Sequence, residues 1–282
     1  MKISFLDFWG DFEFNNNFIT HALRQIYQDL QIVSPEDSDI IICSVFGNNH
    51  HRFINNKKII FYTGENIRPT YQSYQKSISF DFDSYDNKNL RIPLWYFYID
   101  WFNVKSYGNP NYLLPVDYLY NSNEFILKEK NKFCCTIFSA PHQDRFQMIN
   151  KLNEYKLVDC YGKVFQNKIS DGEKIKMDII SNYKFSICFE NSIYPGYYTE
   201  KLLHAKIAGT IPIYKSHDTM YLDFNKNCCI NTNNMNLDEI LNIVIEIDNN
   251  DKLYKQWFQQ PLFENKIDIN TILNSIKNLI EN

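Results

Sequence analysis

The sequence predicts an α/β protein made of two doubly wound domains that face each other across a cleft. Short apolar runs bounded by turn residues alternate with segments whose apolar residues recur at helical spacing, as in parallel sheets covered by helices. The alternation occurs twice, on either side of a polar stretch with two prolines, residues 107–131. We therefore expect a first domain over residues 1–125 and a second over residues 126–282.

The first domain is predicted to open with a strand and a helix. Residues 2–6 form an apolar run, and apolar residues recur at helical spacing over residues 18–30. Two further continuous apolar runs, residues 39–45 and 58–62, are typical of strands that are buried on both faces of a sheet. The pattern predicts three buried parallel strands in this domain.

The second domain is predicted from four more apolar runs and from the amphipathic segments between them. The predicted strands are residues 133–138, 157–162, 185–189 and 211–214. The predicted helices are residues 144–152, 174–183, 200–208, 237–247 and 269–280. The last of these helices is expected to pack back on the first domain.

The composition argues against several classes of protein. A net charge of -4 and a pI near 5.9 disfavour a nucleic-acid-binding module, which normally carries a basic patch. The seven cysteines show no CxxC spacing and are expected to be reduced thiols. No apolar run reaches the length of a transmembrane helix, and no signal peptide is predicted. We therefore expect a soluble, cytoplasmic protein with at most loose contact to a membrane surface.

A charged, tyrosine-rich stretch lies inside a predicted strand–helix–strand unit, residues 185–214. The strand ends at Phe189, and Thr199 is suited to N-cap the helix over residues 200–208. Parallel sheets bind ligands beyond the carboxyl ends of their strands, where helix N-termini attract anions. Lys201 stands in the first helical turn, where a positive charge disfavours the helix. The pattern indicates a ligand anion at this position; a Lys201 that points into solvent is the alternative.

Residues 188–214, CFENSIYPGYYTEKLLHAKIAGTIPIY, resemble the donor-binding motif of the α-1,3/4-fucosyltransferases, glycosyltransferase family 10. In that family FEN is followed by Y-x-T-E-K and, after a helix, by IPIY. Four further stretches are similar to motifs of the family and keep their order along the chain. They are FWGD at residues 8–11 (with Phe8 in place of the first Trp), YTGEN at 62–66, LRIPL at 90–94 and VDCYGK at 158–163.

The resemblance implies a GT-B-like fold in which two Rossmann-like domains divide the substrates. The acceptor would bind mainly to the first domain and GDP-fucose to the second. The fucose, β-linked in GDP-fucose, would be inverted to an α linkage in one displacement through an oxocarbenium-like transition state. The pyrophosphate would be held by the helix N-terminus and the loop before it. The residues concerned are Asn191, Tyr197, Thr199, Glu200 and Lys201.

The resemblance also implies roles outside this stretch. Arg145 would supply a second cation for the phosphates, because its planar fork can bind two oxygens; an ordinary surface arginine is the alternative. Glu200 would contact sugar hydroxyls of the donor. Glu65, which follows a predicted buried strand, would be the base that deprotonates the acceptor, although it could be a surface residue in a turn. Trp9 and Asp11 would border the acceptor, with core packing as the alternative for Trp9.

No metal ion is expected. Asp81-Phe82-Asp83 has the DxD pattern of metal-dependent sugar transferases, but it lies in an acidic turn, and two carboxylates alone do not make a Mg²⁺ site. His50-His51 and His142 form no spaced ligand set. The resemblance implies that cations of the protein replace the metal and that no cofactor is needed beside the GDP-fucose donor.

The leading hypothesis is an inverting, metal-independent fucosyltransferase that moves L-fucose from GDP-fucose to a glycan hydroxyl in an α-1,3-type linkage. One alternative is the same fold acting on another GDP-sugar, such as GDP-L-galactose. Another is a catalytically silent protein that binds a nucleotide sugar or a glycan, although Glu65 and Lys201 are both present. An NAD-dependent enzyme is excluded, because the chain has eight glycines and no GxGxxG. The expected partners are GDP-fucose and an oligosaccharide acceptor.

Overall fold

A computed structural model describes residues 1–120, 128–165, 167, 169 and 172–282. The chain divides into two compact units. The first comprises Met1–Pro115 together with Ile267–Asn282, and the second comprises Val116–Lys266. The boundary predicted between residues 125 and 126 lies outside the described residues.

Each unit contains a parallel β-sheet. The strands are β1 (Lys2–Leu6), β2 (Gln31–Ile32), β3 (Ile40–Cys43), β4 (Lys58–Tyr62), β5 (Lys76–Ser79), β6 (Asn89–Arg91), β7 (Lys132–Ile137), β8 (Val158–Tyr161), β9 (Tyr183–Ile187), β10 (Ile211–Tyr214) and β11 (Ile230–Asn231). Within the described residues the first unit has the strand order β2-β1-β3-β4-β5-β6, and the second has the order β11-β10-β9-β7-β8. Neighbouring strands are parallel in both sheets, so the predicted α/β class with two parallel sheets is confirmed.

Helices connect the strands of both sheets. They are α1 (Phe18–Ile26), α2 (Gln143–Asn153), α3 (Glu173–Ile180), α4 (Glu200–Ile207), α5 (Leu237–Asp248), α6 (Asp251–Phe258) and α7 (Ile269–Glu281). Helix α7 packs against α1, which is why the C-terminal segment belongs to the first unit. Two polar contacts fix it there: the Tyr27 hydroxyl donates to Glu281, and Lys58 Nζ donates to the carbonyl of Ile280 at 2.6 Å.

Two predicted helices end earlier than expected. The helix predicted over residues 18–30 ends at Ile26, because Tyr27 takes an extended backbone conformation. The helix predicted over residues 174–183 ends at Ile180, because Tyr183 begins β9 and pairs with β7. Sheet pairing therefore outweighs the helical pattern at the end of that segment.

Apolar side chains between sheet and helices form the core of each unit. In the first unit, alternate residues of β3 and β4 pack with Phe53 and Tyr74. In the second, residues of β7, β9 and β10 pack with apolar positions of α2 and α5. Full burial of one such side chain contributes about 1.5–3 kcal/mol. These cores hold the carboxyl ends of the strands, and the loops that follow them, in fixed positions.

Gly162, in the loop after β8, has a backbone conformation that favours glycine. Its φ is +114°, and a Cβ there would lie 2.1 Å from the carbonyl oxygen of Phe138. We expect Gly162→Ala to lower the free energy of unfolding by about 2–4 kcal/mol, because both the φ and the clash oppose a side chain. Urea denaturation followed by circular dichroism measures the loss. Gly10→Ala is the control, since a Cβ at Gly10 meets nothing within 4 Å; equal losses in both variants would contradict the explanation.

Candidate functional site

In the second unit, a cavity of about 290 Å³ opens at the carboxyl end of the sheet. Its walls come from the ends of β7 and β9, from the first turns of α2 and α4, and from α3. The predicted donor residues on its wall are Arg145, Asn191, Glu200 and Lys201. Tyr197 and Thr199, which are 3 % and 2 % exposed, are buried and do not line the cavity.

Arg145 is held at the first turn of α2 by three hydrogen bonds. Its Nη2 donates to the carbonyl of Phe189 at 2.6 Å and to Asn191 Oδ1 at 2.8 Å, and its Nη1 donates to the carbonyl of Ala140 at 3.2 Å. The guanidinium also lies over the ring of Phe138. Although Arg145 is only 3 % exposed, a guanidinium stays protonated when buried, so it brings a fixed positive charge to the cavity.

Glu190 organises the loop between β9 and α4. Its carboxylate is fully buried. Oε1 accepts from the Thr199 N–H and the Tyr214 hydroxyl, both at 2.8 Å. Oε2 accepts from Thr199 Oγ1 at 2.7 Å and from Lys201 Nζ at 3.2 Å. A buried carboxylate with this many donors is satisfied, and it fixes both the start of α4 and the direction of Lys201.

Thr199 occupies the predicted N-cap position of α4, but its side chain does not cap the helix. The hydroxyl instead donates to Glu190 and accepts from Lys201 Nζ at 2.8 Å. The first N–H groups of a helix that lacks a side-chain cap can bind an anion. The sequence therefore predicted the start of α4 correctly. The Thr199 hydroxyl, however, bonds to Glu190 instead of capping the helix.

Lys201 does not extend freely into solvent. Its Nζ lies 3.2 Å from Glu190 and 3.7 Å from Glu200, and its side chain is 23 % exposed. Burial disfavours the ammonium, but the two carboxylates outweigh burial and raise the pKa of Lys201 above its usual value. The lysine is therefore charged at neutral pH, and part of it remains open to the cavity.

Two cavity residues, His204 and Lys176, were missed by the sequence reasoning. His204 lies one turn beyond Glu200 on α4, and Lys176 comes from α3. Burial lowers the pKa of His204 to about 4, so its ring is neutral at physiological pH. Burial raises the pKa of Glu200, but the charge of Lys201 reverses this and lowers it overall, which keeps the carboxylate ionised. The helical i, i+4 spacing of Glu200 and His204 was the signal that could have found the histidine.

In the first unit, a second cavity of about 410 Å³ brings together the three predicted acceptor-side residues, Glu65, Trp9 and Asp11. They follow β4 and β1, whose carboxyl ends meet at the same edge of the sheet. Five aromatic residues also line the wall: Phe12, Phe46, Phe97, Tyr98 and Tyr107. Aromatic faces with a few polar groups are suited to binding sugars, whose rings have both apolar and hydroxyl-bearing faces.

Glu65 is an exposed carboxylate on the rim of this cavity. Its backbone is fixed, because its N–H donates to Thr63 Oγ1 and its carbonyl accepts from Ile67 at 2.7 Å. Among the described residues, the side chain has no ion pair or hydrogen bond. A carboxylate without a protein partner can accept a proton from a ligand hydroxyl.

Trp9 is half-buried, and its ring meets those of Phe12 and Phe46 edge-on at 4.8 and 6.0 Å. It therefore packs against its own loop and also lines the cavity, which combines the two interpretations that the sequence left open. Asp11, two residues further, is exposed.

The carboxylates of the DxD-like segment, Asp81 and Asp83, accept hydrogen bonds from residues of their own turn. Asp81 accepts from the Asp83 N–H and the Tyr85 hydroxyl, and Asp83 accepts from the Tyr85 N–H. Across the described ranges, no group of three or more His, Cys, Asp or Glu side chains could hold a metal ion. In the same part of the chain, no helix combines the length and apolar character required to cross a membrane.

Comparison with known proteins decides the family. Residues 127–272 match the C-terminal family profile "Glycosyltransferase family 10 (fucosyltransferase)". This chain belongs to glycosyltransferase family 10. Residues 3–98 of the family 10 chain also match the profile "Alpha-(1,3)-fucosyltransferase FucT N-terminal domain". The family that the sequence motifs indicated is therefore confirmed.

The family 10 chain is 27 % identical to the alpha-(1,3)-fucosyltransferase FucT of Helicobacter pylori over 322 residues, which cover all of this chain and 66 % of the relative. It is 33 % identical to the putative fucosyltransferase R654 of Acanthamoeba polyphaga mimivirus, covering 51 % of this chain and 26 % of that protein. It is 30 % identical to human 4-galactosyl-N-acetylglucosaminide 3-alpha-L-fucosyltransferase 9, covering 49 % and 40 %. The chain thus spans two thirds or less of the length of these relatives.

Solved structures share the fold of the family 10 chain. The crystal structure of an alpha1,3-fucosyltransferase matches with a TM-score of 0.77 at 24 % identity, covering 100 % of this chain and 90 % of that one. Anabaena HepE in complex with UDP-glucose matches with a TM-score of 0.59 at 11 % identity, covering 100 % and 99 %. The predicted GT-B-like fold class is therefore confirmed.

Proposed function

We propose that this family 10 protein transfers L-fucose from GDP-fucose to a glycan hydroxyl, in an α-1,3-type linkage, with inversion and without a metal ion. One observation carries the proposal: Arg145 and Lys201 line one cavity at the amino end of α4. Two cations and a helix N-terminus form a site for a diphosphate. The names of the relatives, alpha-(1,3)-fucosyltransferases, and the matching structure solved with GDP-fucose support this choice of donor.

On the donor side, the positive groups would stabilise the charge that develops on the departing GDP. Arg145 and Lys201 would contact the pyrophosphate. Arg145 would keep its hydrogen bond to Asn191 at the same time. Glu200 would accept from sugar hydroxyls of the donor, for which its lowered pKa is suitable. Tyr197 and Thr199 would act indirectly, by fixing the conformation of the loop before α4. Arg145 and Lys201 would then stabilise the negative charge of the departing GDP, a role that a metal ion has in other sugar transferases.

On the acceptor side, Glu65 would remove the proton of the attacking hydroxyl. Its exposed carboxylate, in a cavity with Trp9 and Asp11, supports this assignment. Trp9 would offer an indole face to a sugar ring. The first predicted domain, residues 1–125, would then hold the acceptor, and the second, residues 126–282, would hold GDP-fucose.

The experiment incubates the protein with GDP-fucose and a panel of oligosaccharides that end in N-acetylglucosamine or glucose. We expect GDP release that depends on the acceptor, and a product whose anomeric proton shows the α configuration. Excess EDTA should leave the rate unchanged within twofold. A β-linked product would overturn inversion, an EDTA-sensitive rate would overturn metal independence, and the absence of GDP release with every acceptor would overturn the function itself. Parallel reactions with GDP-mannose and GDP-L-galactose identify the donor.

A further inference from the structure

A largely buried chain of hydrogen bonds through Asp7, His50 and Ser73 joins three loops of the first unit. Asp7 directly follows β1, and its carboxylate is fully buried. Oδ1 accepts from the N–H and the Nδ2 of Asn49 at 3.0 and 2.8 Å. Oδ2 accepts from the His50 N–H at 3.0 Å and from His50 Nδ1 at 2.6 Å. The other ring nitrogen of His50, Nε2, lies 3.1 Å from Ser73 Oγ.

The hydrogen bond between His50 and Asp7 has a defined direction. Burial disfavours an ionised Asp7, but the hydrogen bonds from His50 and Asn49 outweigh burial and hold the pKa of Asp7 below its usual value. An ionised carboxylate only accepts, so His50 Nδ1 donates to it. His50 Nε2 and Ser73 Oγ form the second hydrogen bond of the chain. Each member is thereby fixed by the next.

The close approach of the loops is built into the backbone. Asp7 has a φ of 60°, in the left-handed region that non-glycine residues rarely adopt. A Cβ at Gly47 would lie 2.5 Å from Asp7 Oδ1, so only glycine lets the loop after β3 pass this carboxylate. Such strain persists where surrounding contacts determine the conformation, and here the contacts are the bonds to Asn49 and His50.

Each joined loop contributes one wall of the 410 Å³ cavity. The loop after Asp7 carries Trp9, and the loop before His50 carries Phe46. The segment between β4 and β5, residues 63–75, carries both Glu65 and Ser73. The three members of the chain do not themselves line the cavity. They follow the order of a Ser-His-Asp triad, but they act on the walls and not on a ligand.

We propose that Asp7, His50 and Ser73 are positioning residues that hold Trp9, Phe46 and Glu65 in the arrangement that binds the acceptor. The inference rests on the proposed function only in taking the ligand of this cavity to be the acceptor glycan. The chain of hydrogen bonds ends at Ser73, in the segment that also carries Glu65, the proposed base. Removing the Ser73 hydroxyl should therefore weaken acceptor binding and leave the donor site in the other unit unaffected.

The test compares Ser73→Ala, which breaks the chain, with Ser73→Thr, which keeps a hydroxyl. We expect Ser73→Ala to raise the KM for the acceptor about fivefold, the effect of losing one ordinary hydrogen bond, with an unchanged KM for GDP-fucose. Ser73→Thr should stay within twofold of the wild type. Ser34→Ala is the control, because its hydroxyl bonds only to the nearby Asp37 within the described residues and lies outside the cavity. A kcat/KM for the acceptor within twofold of the wild-type value, even with a lower free energy of unfolding, would show a merely structural role and overturn the proposal.

Hydrogen–deuterium exchange tests the positioning without any assay of transfer. In Ser73→Ala, amides of residues 7–13 and 44–49 should exchange faster as well as those of residues 70–75, because the chain joins all three loops. Faster exchange confined to residues 70–75 would overturn the proposal. In the His50→Asn variant, the side-chain amide can keep the bond to Asp7 but cannot reach Ser73. Adding Ser73→Ala to this variant should therefore change the exchange rates little. If the wild type transfers no fucose, the proposed function fails while the exchange data still decide the positioning.

Discussion

Replacing Glu65 by glutamine is expected to lower kcat for fucosyl transfer by about 10²–10⁴-fold while the affinity for GDP-fucose stays unchanged. Glutamine keeps the size and one acceptor oxygen of the side chain but cannot take up a proton. General-base catalysis typically contributes this factor, so its removal should appear almost wholly in kcat. Initial rates at saturating acceptor, together with calorimetric titration of GDP-fucose, separate the two quantities.

Matched variants make the Glu65 result specific. Glu36→Gln removes an exposed carboxylate of the same unit, one that pairs with Arg52 at 3.9 Å and does not line the cavity, and it should leave the rate unchanged. Asp11→Asn tests the other carboxylate of the cavity wall. If Asp11→Asn abolishes transfer and Glu65→Gln does not, the base is Asp11, and the assignment made from YTGEN is wrong.

The 410 Å³ cavity of the first unit shows what the sequence could predict. Trp9 and Glu65 are far apart in the chain, yet both follow apolar runs that are typical of parallel strands. Because the carboxyl ends of parallel strands lie at one edge, the predicted sheet alone places the two residues near one another. The structure adds that β3 lies between β1 and β4, so the loop with Phe46 becomes the third wall.

Some strands escaped prediction because they carry little apolar signal. β5 (Lys76–Ser79) and β6 (Asn89–Arg91) are short and largely polar, and Asn89 accepts from the hydroxyls of Ser77 and Ser79 across this pair. Such strands are stabilised by hydrogen bonds between side chains that come together only in the folded sheet. Hydrophobic periodicity cannot find them.

The charges around α4 show a second limit of what could be predicted from the sequence. Lys201 in a first helical turn suggested a ligand anion, since the local helix gains nothing from it. The structure shows that protein carboxylates already oppose this charge: Glu190, eleven positions earlier, and Glu200. No helical or strand spacing relates Lys201 to Glu190. Their pairing follows from the path of the loop, so local sequence rules could not reveal it.

Lys201→Met is expected to weaken GDP binding by about 10–100-fold and to lower the free energy of unfolding by about 2 kcal/mol. The first effect follows from losing a charge-assisted contact to the diphosphate. The second follows because the buried Glu190 keeps its charge without its cationic partner, a change that costs more in fully buried pairs. Calorimetric titration of GDP and urea denaturation measure the two effects on the same sample.

The double variant Lys201→Met, Glu190→Gln distinguishes ligand binding from stability. With both charges removed, the glutamine can still accept from Thr199 and Tyr214, and the unfolding free energy should recover by about 1 kcal/mol or more. GDP affinity should not recover, because the diphosphate still lacks its cation. If the double variant instead binds GDP as tightly as the wild type, Lys201 serves only to neutralise Glu190. Arg145, whose guanidinium remains in the cavity of both variants, would then be the cation that binds the leaving group.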